Sequence, residues 1–355
     1  LLFDSVRLDV LWGIERTKEV AMQVQASLRQ TRRDRDSLDG SCRLFVWYRQ
    51  FLSVSSGVRS YLLLRFARHE RTLHCRHVLR LDRPRAEGLE GMRASVPRAL
   101  LVYPEFPPSY WGFRYALELL GKRSSMPPLG LLTVAAMFPA TWELRLVDLN
   151  VEALDDSDLG WADLVLTSTM VVQQRSLREV LARCNALGKP VVVGGPYPTS
   201  FAAEIAGADH FLLGEVEEIF PRFLADWEAG RAAREYRPNS KPAITATPVP
   251  RFELLDLSAY GSMAVQFSRG CPFDCEFCDI TKLFGRLPRT KTNEQILAEL
   301  TALHSLGWCG AVFLVDDNFI GNKREAMRLL PAIAAWQQQH GSPFDLYTEA
   351  SINLA

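Results

Sequence analysis

The sequence predicts an α/β protein: a doubly wound, parallel sheet followed by the opening strands of a second β/α series. Between Arg98 and Gly230 five short apolar runs alternate with helix-patterned stretches, and the runs end in Pro, Gly, acids or small hydroxyl residues. After Ser262 the alternation resumes with three more strands. What precedes this pattern is set apart by charge. Residues 1–91 hold 17 basic and 11 acidic residues (+6), and residues 92–355 hold 24 and 30 (−6). The net charge of zero therefore describes neither part.

In the first series, ALLVYPEFPP is a buried strand stopped by prolines, and PPLGLLTVAAMF is a proline-initiated helix. LRLVDLNV is a strand ending in an acid, and ADLVLTSTMV is one ending in hydroxyl residues. LREVLARCNALG reads as an amphipathic helix with a Gly stop. PVVVGGPYPTS is a strand running into a Gly-Pro turn, DHFLLGE is the fifth strand, and VEEIFPRFLADWEAG is a helix. Residues 97–230 thus form one domain, whose ligands belong at the carboxyl ends of its strands. Residues 231–256 are polar and Pro-rich and read as a linker draped over the surface. In the second domain, residues 257–355, SMAVQFSRG is a strand. TNEQILAELTALHSLG is a helix with Thr292 as N-cap, Gln295 completing a capping box and Gly307 as stop. GAVFLVDDNF and FDLYTEASINLA are strands flanking a helix in which Pro331 predicts a kink.

Three strands cannot close a barrel, so the expectation is a truncated carboxyl terminus. Residues 1–91 show little apolar period and use Arg over Lys sixteen to one. They are expected to be of doubtful structure and not a genuine coding segment, with Met92 as the true start. The alternative is a basic extension for an acidic partner.

With 48% apolar and 23% charged residues the chain has ample core material. No stretch approaches ~18 uncharged apolar residues, so no transmembrane helix is expected. There is no basic n-region of a signal peptide. The acidic main part argues against a nucleic-acid partner. Seven Cys in 355 residues do not make a disulfide scaffold. Three cluster at Cys271, Cys275 and Cys278, which suggests a metal in a reducing, cytoplasmic compartment.

That triad, C-x₃-C-x₂-C at a strand end, can ligate three irons of a 4Fe-4S cluster and leave the fourth iron open. A structural zinc site would need a fourth protein ligand, and Cys309 lies 31 residues on, beyond a helix. The nearby Arg286, Arg289 and Lys291 read as a solvated basic stretch. Trp111, Phe113 and Tyr115 read as core or interface aromatics.

At the triad the sequence resembles the radical S-adenosylmethionine (SAM) superfamily. Preceded by an α/β domain, it resembles that superfamily's cobalamin-binding class, over residues 97–355. The strings MPPLGLLTVAAMFP, LVDLNV, GGPYPTS, SRGCPFDCEFCDI, LFGRLPRTKT, VDDNFIGNK and YTEASINLA resemble one subgroup, which includes hopanoid C-2 methylases. The resemblance implies a Rossmann- or flavodoxin-like cobalamin domain and the first half of a radical SAM partial (β/α) barrel. It implies a 4Fe-4S cluster on the three Cys, with SAM near Phe277, Asp316, Asp317, Asn318, Glu349 and Ser351. DDNF departs from the small Gly-rich motif usual at that strand end. Cobalamin is implied at Pro127, Leu129, Gly130, Asp148, Thr167, Ser168, Thr169, Met170, Gly194, Gly195, Tyr197 and Thr199. The D-x-H-x-x-G histidine of many cobalamin domains is missing; the domain's single His is His210.

The implied activity is C-methylation of an unactivated carbon through a 5′-deoxyadenosyl radical, on a small molecule or a hopanoid-like lipid. Tetrapyrrole-type cyclisation or rearrangement, and a non-catalytic cobalamin module, are the alternatives. A flavodoxin- or ferredoxin-type electron donor is expected, and a lipid substrate would bring peripheral membrane contact. As a chain lacking later barrel strands, it is expected not to turn over alone.

Overall fold

The computed structural model describes residues 44–51, 59–66, 96–109 and 112–351. The first two segments are strands β1 (Leu44–Phe51) and β2 (Arg59–Phe66), paired with each other. The expectation for residues 1–91 otherwise lies outside the described residues, as does Trp111. Everything below concerns the compact unit Phe45–Ala355.

A six-stranded parallel sheet comprises β3 (Arg98–Tyr103), β4 (Glu143–Asp148), β5 (Leu164–Ser168), β6 (Val191–Gly194), β7 (His210–Leu212) and β8 (Glu235–Tyr236), in the order β4-β3-β5-β6-β7-β8. The order reverses at β3, as in flavodoxin-like sheets, so the crevice lies at the carboxyl ends of the central strands. The apolar runs are continuous because both faces are covered. Leu100 and Val102 pack on one side with Leu177, Val180 and Leu181. Ala99, Leu166 and Val192 pack on the other with Phe220 and Phe223. Each fully buried Leu or Val contributes roughly 1.5–3 kcal/mol of transfer free energy.

The second series gives β9 (Met263–Val265), β10 (Ser268–Arg269), β11 (Arg289–Thr290), β12 (Ala311–Leu314) and β13 (Asp345–Thr348). Strands β13, β12 and β9 form a parallel sheet, and β10 pairs antiparallel with β11. The helix Asn293–Ser305 starts on the expected capping box: Gln295 N donates to Thr292 Oγ1 (3.2 Å) and Thr292 N to Gln295 Oε1 (3.1 Å). Its Ile296, Leu300 and Leu303 join Leu329, Ile333 and Trp336 over the sheet.

Three expectations need correcting. The stretch read as a surface linker supplies the edge strand β8, and its Tyr236, Ile244 and Phe252 are buried. The Gly-Pro turn after β6 continues as a short helix, Pro196–Phe201, because proline at the first helical position needs no hydrogen bond. The helix Lys323–Gln339 contains Pro331, the expected kink position, and continues past it. The carbonyl left over four residues back belongs to Met327, an exposed residue that water can serve. Phe113 and Tyr115 are exposed rather than core.

The two series are fastened to each other. Leu132, on the helix Leu129–Ala135 of the first domain, belongs to the core of the second. The Tyr260 hydroxyl donates to Asp148 Oδ2 across the junction (3.0 Å, both buried).

Candidate active site

The cysteine loop leaves β10 through Gly270, at φ +98°, where a Cβ would meet Gly285 O at 2.9 Å and Leu287 O at 3.0 Å. Only glycine passes there without displacing backbone. Cys271 N donates to Gly285 O (3.2 Å) and Cys278 N to Cys275 O (3.0 Å), folding the loop into turns. Cys271 and Cys278 are half-buried and Cys275 is exposed. Among the described residues no three His, Cys, Asp or Glu side chains converge as ligands of a single ion. A four-iron cluster asks for a wider set, since each thiolate binds a different iron. Three unpaired cysteines on one loop fit that demand.

The end of β12 lies under this loop. Asp316 accepts from Ser268 N, and Asp317 Oδ2 accepts from Gly270 N (2.8 Å). Both acids thus anchor the approach to Cys271. Burial raises both carboxyl pKa values, that of Asp316 to about 7. Asp316 Oδ2 is buried without a partner. Asn318 Nδ2 stands 3.9 Å from Cys271 Sγ and donates to Ser351 Oγ (3.1 Å), while Ser351 N donates to Asn318 Oδ1 (3.2 Å). An N–H beside a thiolate sulfur is one of the levers on a cluster's reduction potential. Phe319 N donates to Glu349 O (3.0 Å). The structure therefore gathers Asp316, Asp317, Asn318, Glu349 and Ser351 around the Cys271 end of the loop. Phe277, the residue directly before Cys278, is 63% exposed.

A cavity of about 260 Å³ opens where the strand ends of the first sheet face the exit of β9. Of the expected cobalamin residues, Leu129, Gly130, Thr167, Ser168, Gly194 and Gly195 line it. Gln266, Arg269, Phe284 and Val315 supply its other wall. Thr167 Oγ1 and Thr169 Oγ1 are buried without partners. No atom lies within 4 Å of where a Gly130 Cβ would stand. An apolar helix face, the unsatisfied Thr167 hydroxyl and bare glycine backbone in its lining suit a flat macrocycle with a polar rim.

The remaining expected residues do not line it. Asp148 accepts from Asn150 N (2.9 Å), Asn150 Nδ2 (2.7 Å) and Tyr260, so its carboxylate serves the domain junction. Burial raises its pKa, and the bonds from Asn150 and Tyr260 oppose the rise. Tyr197 is in the core against Phe201. Thr199 clips two turns together, donating to Gly195 O (2.7 Å) and accepting from Gly214 N (2.9 Å). Pro127 is buried and Met170 is exposed. His210 opens β7, at the opposite edge of the sheet from the cavity, with Nδ1 2.7 Å from Ala233 O.

Sequence reasoning passed over Glu217, Arg269 and Glu299 here and misread Arg289 and Lys291. Glu215 and Glu217, just past β7, are buried against Arg269 and Arg289. Lys291 is likewise buried, paired with Glu299. Arg289 and Lys291 are thus interior ion-pair partners rather than a solvated stretch. Arg286 is exposed beside Asp274 (2.9 Å). The signal was two acids following a strand end, but their partners lie 52 to 74 residues on.

Comparison with known proteins adds the following. Residues 123–224 match the B12 binding domain, and residues 265–345 match the radical SAM superfamily. The chain is 50% identical over 260 residues to an uncharacterised methyltransferase of Synechocystis sp., covering 73% of this chain and 48% of the relative. It is 36% identical over 263 residues to the hopanoid C-2 methylase of Rhodopseudomonas palustris, covering 73% and 50%. The chain spans about half the length of these curated relatives. Its fold is similar to that of the cobalamin-dependent radical enzyme OxsB, solved with aqua-cobalamin and SAM (TM-score 0.53, 17% identity, 69% of this chain and 37% of that one). It is similar too to the radical SAM methyltransferase TsrM of Kitasatospora setae (TM-score 0.51, 17% identity, 69% and 52%).

Proposed function

We propose that this chain, which belongs to the proteins that join a B12-binding domain to a radical SAM domain, works as a cobalamin-dependent radical methyltransferase acting on an unactivated carbon. One observation carries the reading. A single cavity has the strand ends of the first sheet on one side and the approach to the cysteine loop on the other. Cys271, Cys275 and Cys278 would hold the cluster. Leu129, Gly130, Thr167, Ser168, Gly194 and Gly195 would hold cobalamin. Asn318 and Ser351, beside Cys271, are the proposed SAM contacts, and Asp316 and Asp317 keep the loop beneath it in place. When bound, the cluster supplies the electron that cleaves SAM to a 5′-deoxyadenosyl radical, and cobalamin supplies a methyl carrier. The chain's own part is to hold these groups across one space and to keep water from it with the Leu129–Val134 wall.

The substrate class we favour is a hopanoid-like polycyclic lipid, on the strength of the relative named a hopanoid C-2 methylase. No helix among the described residues is long and apolar enough to cross a membrane. A lipid would therefore be met at a membrane surface. A flavodoxin- or ferredoxin-type donor in a reducing cytoplasm completes the proposal. The test is anaerobic reconstitution with iron, sulfide and cobalamin, followed by SAM and reductant. 5′-Deoxyadenosine forms, and Cys275→Ala abolishes it. A Cys275→Ala chain that still makes 5′-deoxyadenosine refutes the reading. With methyl-labelled SAM, a hopanoid and a tetrapyrrole offered together, label in the lipid supports the substrate class, and label in the tetrapyrrole but not the lipid refutes that class.

A further inference from the structure

Four side chains bridge the two β/α series at the wall of the cavity. Arg289 forks onto Glu215, with Nη1 2.9 Å from Oε2 and Nη2 2.7 Å from Oε1. Arg269 Nη1 reaches Glu215 Oε2 (3.0 Å) and Glu217 Oε1 (2.6 Å). The glutamate side chains are 1% and 2% exposed, and those of Arg269 and Arg289 are 12% and 17%. The surroundings add further bonds: Arg269 Nε donates to Gln266 Oε1 (2.8 Å), Thr247 Oγ1 to Glu217 Oε1 (3.0 Å), Arg289 Nη1 to Pro242 O (2.5 Å) and Arg289 Nη2 to Phe284 O (3.0 Å), while Glu217 Oε2 is buried without a partner. Burial opposes the charge on Arg269, but Glu217 and Glu215 outweigh it and hold its pKa above the ordinary value.

A buried ion-pair network gives little net stability over apolar packing, yet a guanidinium fork fixes orientation closely. What it fixes here follows from chain position. Arg269 is two residues before Cys271, and Arg289 pairs opposite it across β10 and β11. Both carboxylates belong to the other series, where β7 ends at the cavity.

We propose that Glu215 and Glu217 are positioning residues: through Arg269 and Arg289 they hold the cysteine loop at a fixed distance from the strand ends of the first sheet. The proposal rests on the functional reading above, in which one cofactor belongs to each side of that distance. The natural comparison is Gln337, a buried side chain whose Nε2 donates to Phe344 O (2.6 Å) and whose Oε1 accepts from Phe344 N (3.4 Å), with both residues in the second series.

The test uses the full chain, loaded anaerobically with iron, sulfide and hydroxocobalamin and reduced so that cluster and cobalt each carry one unpaired electron. Their dipolar coupling, read by pulsed electron paramagnetic resonance, reports the spacing. The unsubstituted chain gives one narrow coupling. Glu215→Gln, which keeps the shape and removes the charge, retains iron and cobalamin but broadens the coupling. It also speeds backbone amide exchange over residues 268–279 by about tenfold or more. Glu217→Gln does the same to a smaller degree, and stands in should Glu215→Gln fail to fold. Gln337→Leu lowers the melting temperature and leaves both signals at the loop unchanged. Unaltered coupling and exchange in the two carboxylate variants overturn the proposal. Equal broadening in Gln337→Leu also overturns it, as general loosening. Should the unsubstituted chain take up no cobalamin, the functional reading fails by itself, and the exchange comparison alone upholds or overturns the clamp.

Discussion

Gly195→Ala offers a clean test of how the cavity floor is built. Gly195 follows β6 at φ +101°, ψ −176°, a region that is nearly glycine's alone. A Cβ there would stand 2.7 Å from Thr169 N, 2.8 Å from Ser168 Oγ and 2.8 Å from Thr169 O. Two of those three atoms are backbone and cannot swing away. They are held by Thr169 N to Gly194 O and Tyr197 N to Thr169 O, each 3.0 Å. The conformation costs ~1–3 kcal/mol and the overlap a further ~1–3 kcal/mol, so Gly195→Ala should destabilise by about 2–6 kcal/mol. Gly130 is the control. It also lines the cavity, but it lies in a helix at negative φ with nothing near its Cβ position. Gly130→Ala should change stability by at most ~1 kcal/mol, in the stabilising direction. Urea unfolding of the two variants, with midpoint and slope both fitted, decides the matter. A Gly195→Ala penalty under ~1 kcal/mol, or an equal penalty at Gly130, refutes the reasoning.

Other outcomes follow from the same geometry. Gly130→Phe should fill the cavity, weakening cobalamin binding by more than about tenfold while iron content is unchanged; optical titration reads it, and unchanged affinity refutes the site. Tyr260→Phe deprives the buried Asp148 carboxylate of a donor. It should cost ~1–3 kcal/mol at neutral pH and less in acid, where a proton satisfies the oxygen. Asp316 is raised by burial from 3.8 to about 7, so the folded chain holds its proton more tightly than the unfolded chain. Its contribution to stability is full below about pH 4 and is lost as pH rises to about 7, amounting to roughly 4 kcal/mol at most. Asp316→Asn should flatten that part of the pH–stability profile; a profile as steep as before contradicts the assignment.

Much of this was legible in the sequence because the signals are local. The apolar runs that became β3 to β7, the Thr292–Gln295 capping box and the spacing of the three Cys each depend on residues within a dozen positions. Thr167, Ser168, Gly194 and Gly195 could be placed at the cavity because strand ends in a parallel sheet share one edge, whereas Gly130, inside a helix, came only from the family resemblance. What was illegible depends on partners far away in the chain. Asp148 resembles a ligand-facing acid until Tyr260, 112 residues on, claims it. Arg289 looks like a surface base until Glu215, 74 residues earlier, buries it. Residues 231–256 have a linker's composition, yet Tyr236 and Phe252 bury their rings in cores on either side. Composition describes the average residue of that stretch, whereas packing was decided by two aromatic ones.

The central claim is that one chain carries a radical-generating cluster and a cobalamin across a shared cavity. The most direct measurement is the metal and cofactor content of the anaerobically reconstituted chain, taken together with its magnetic resonance spectrum. The account predicts about four irons and one cobalamin per chain, with a cluster signal that shifts on adding SAM and is split by cobalt. Zinc in place of iron, or a loaded cluster with no cobalamin bound beside it, would contradict the account.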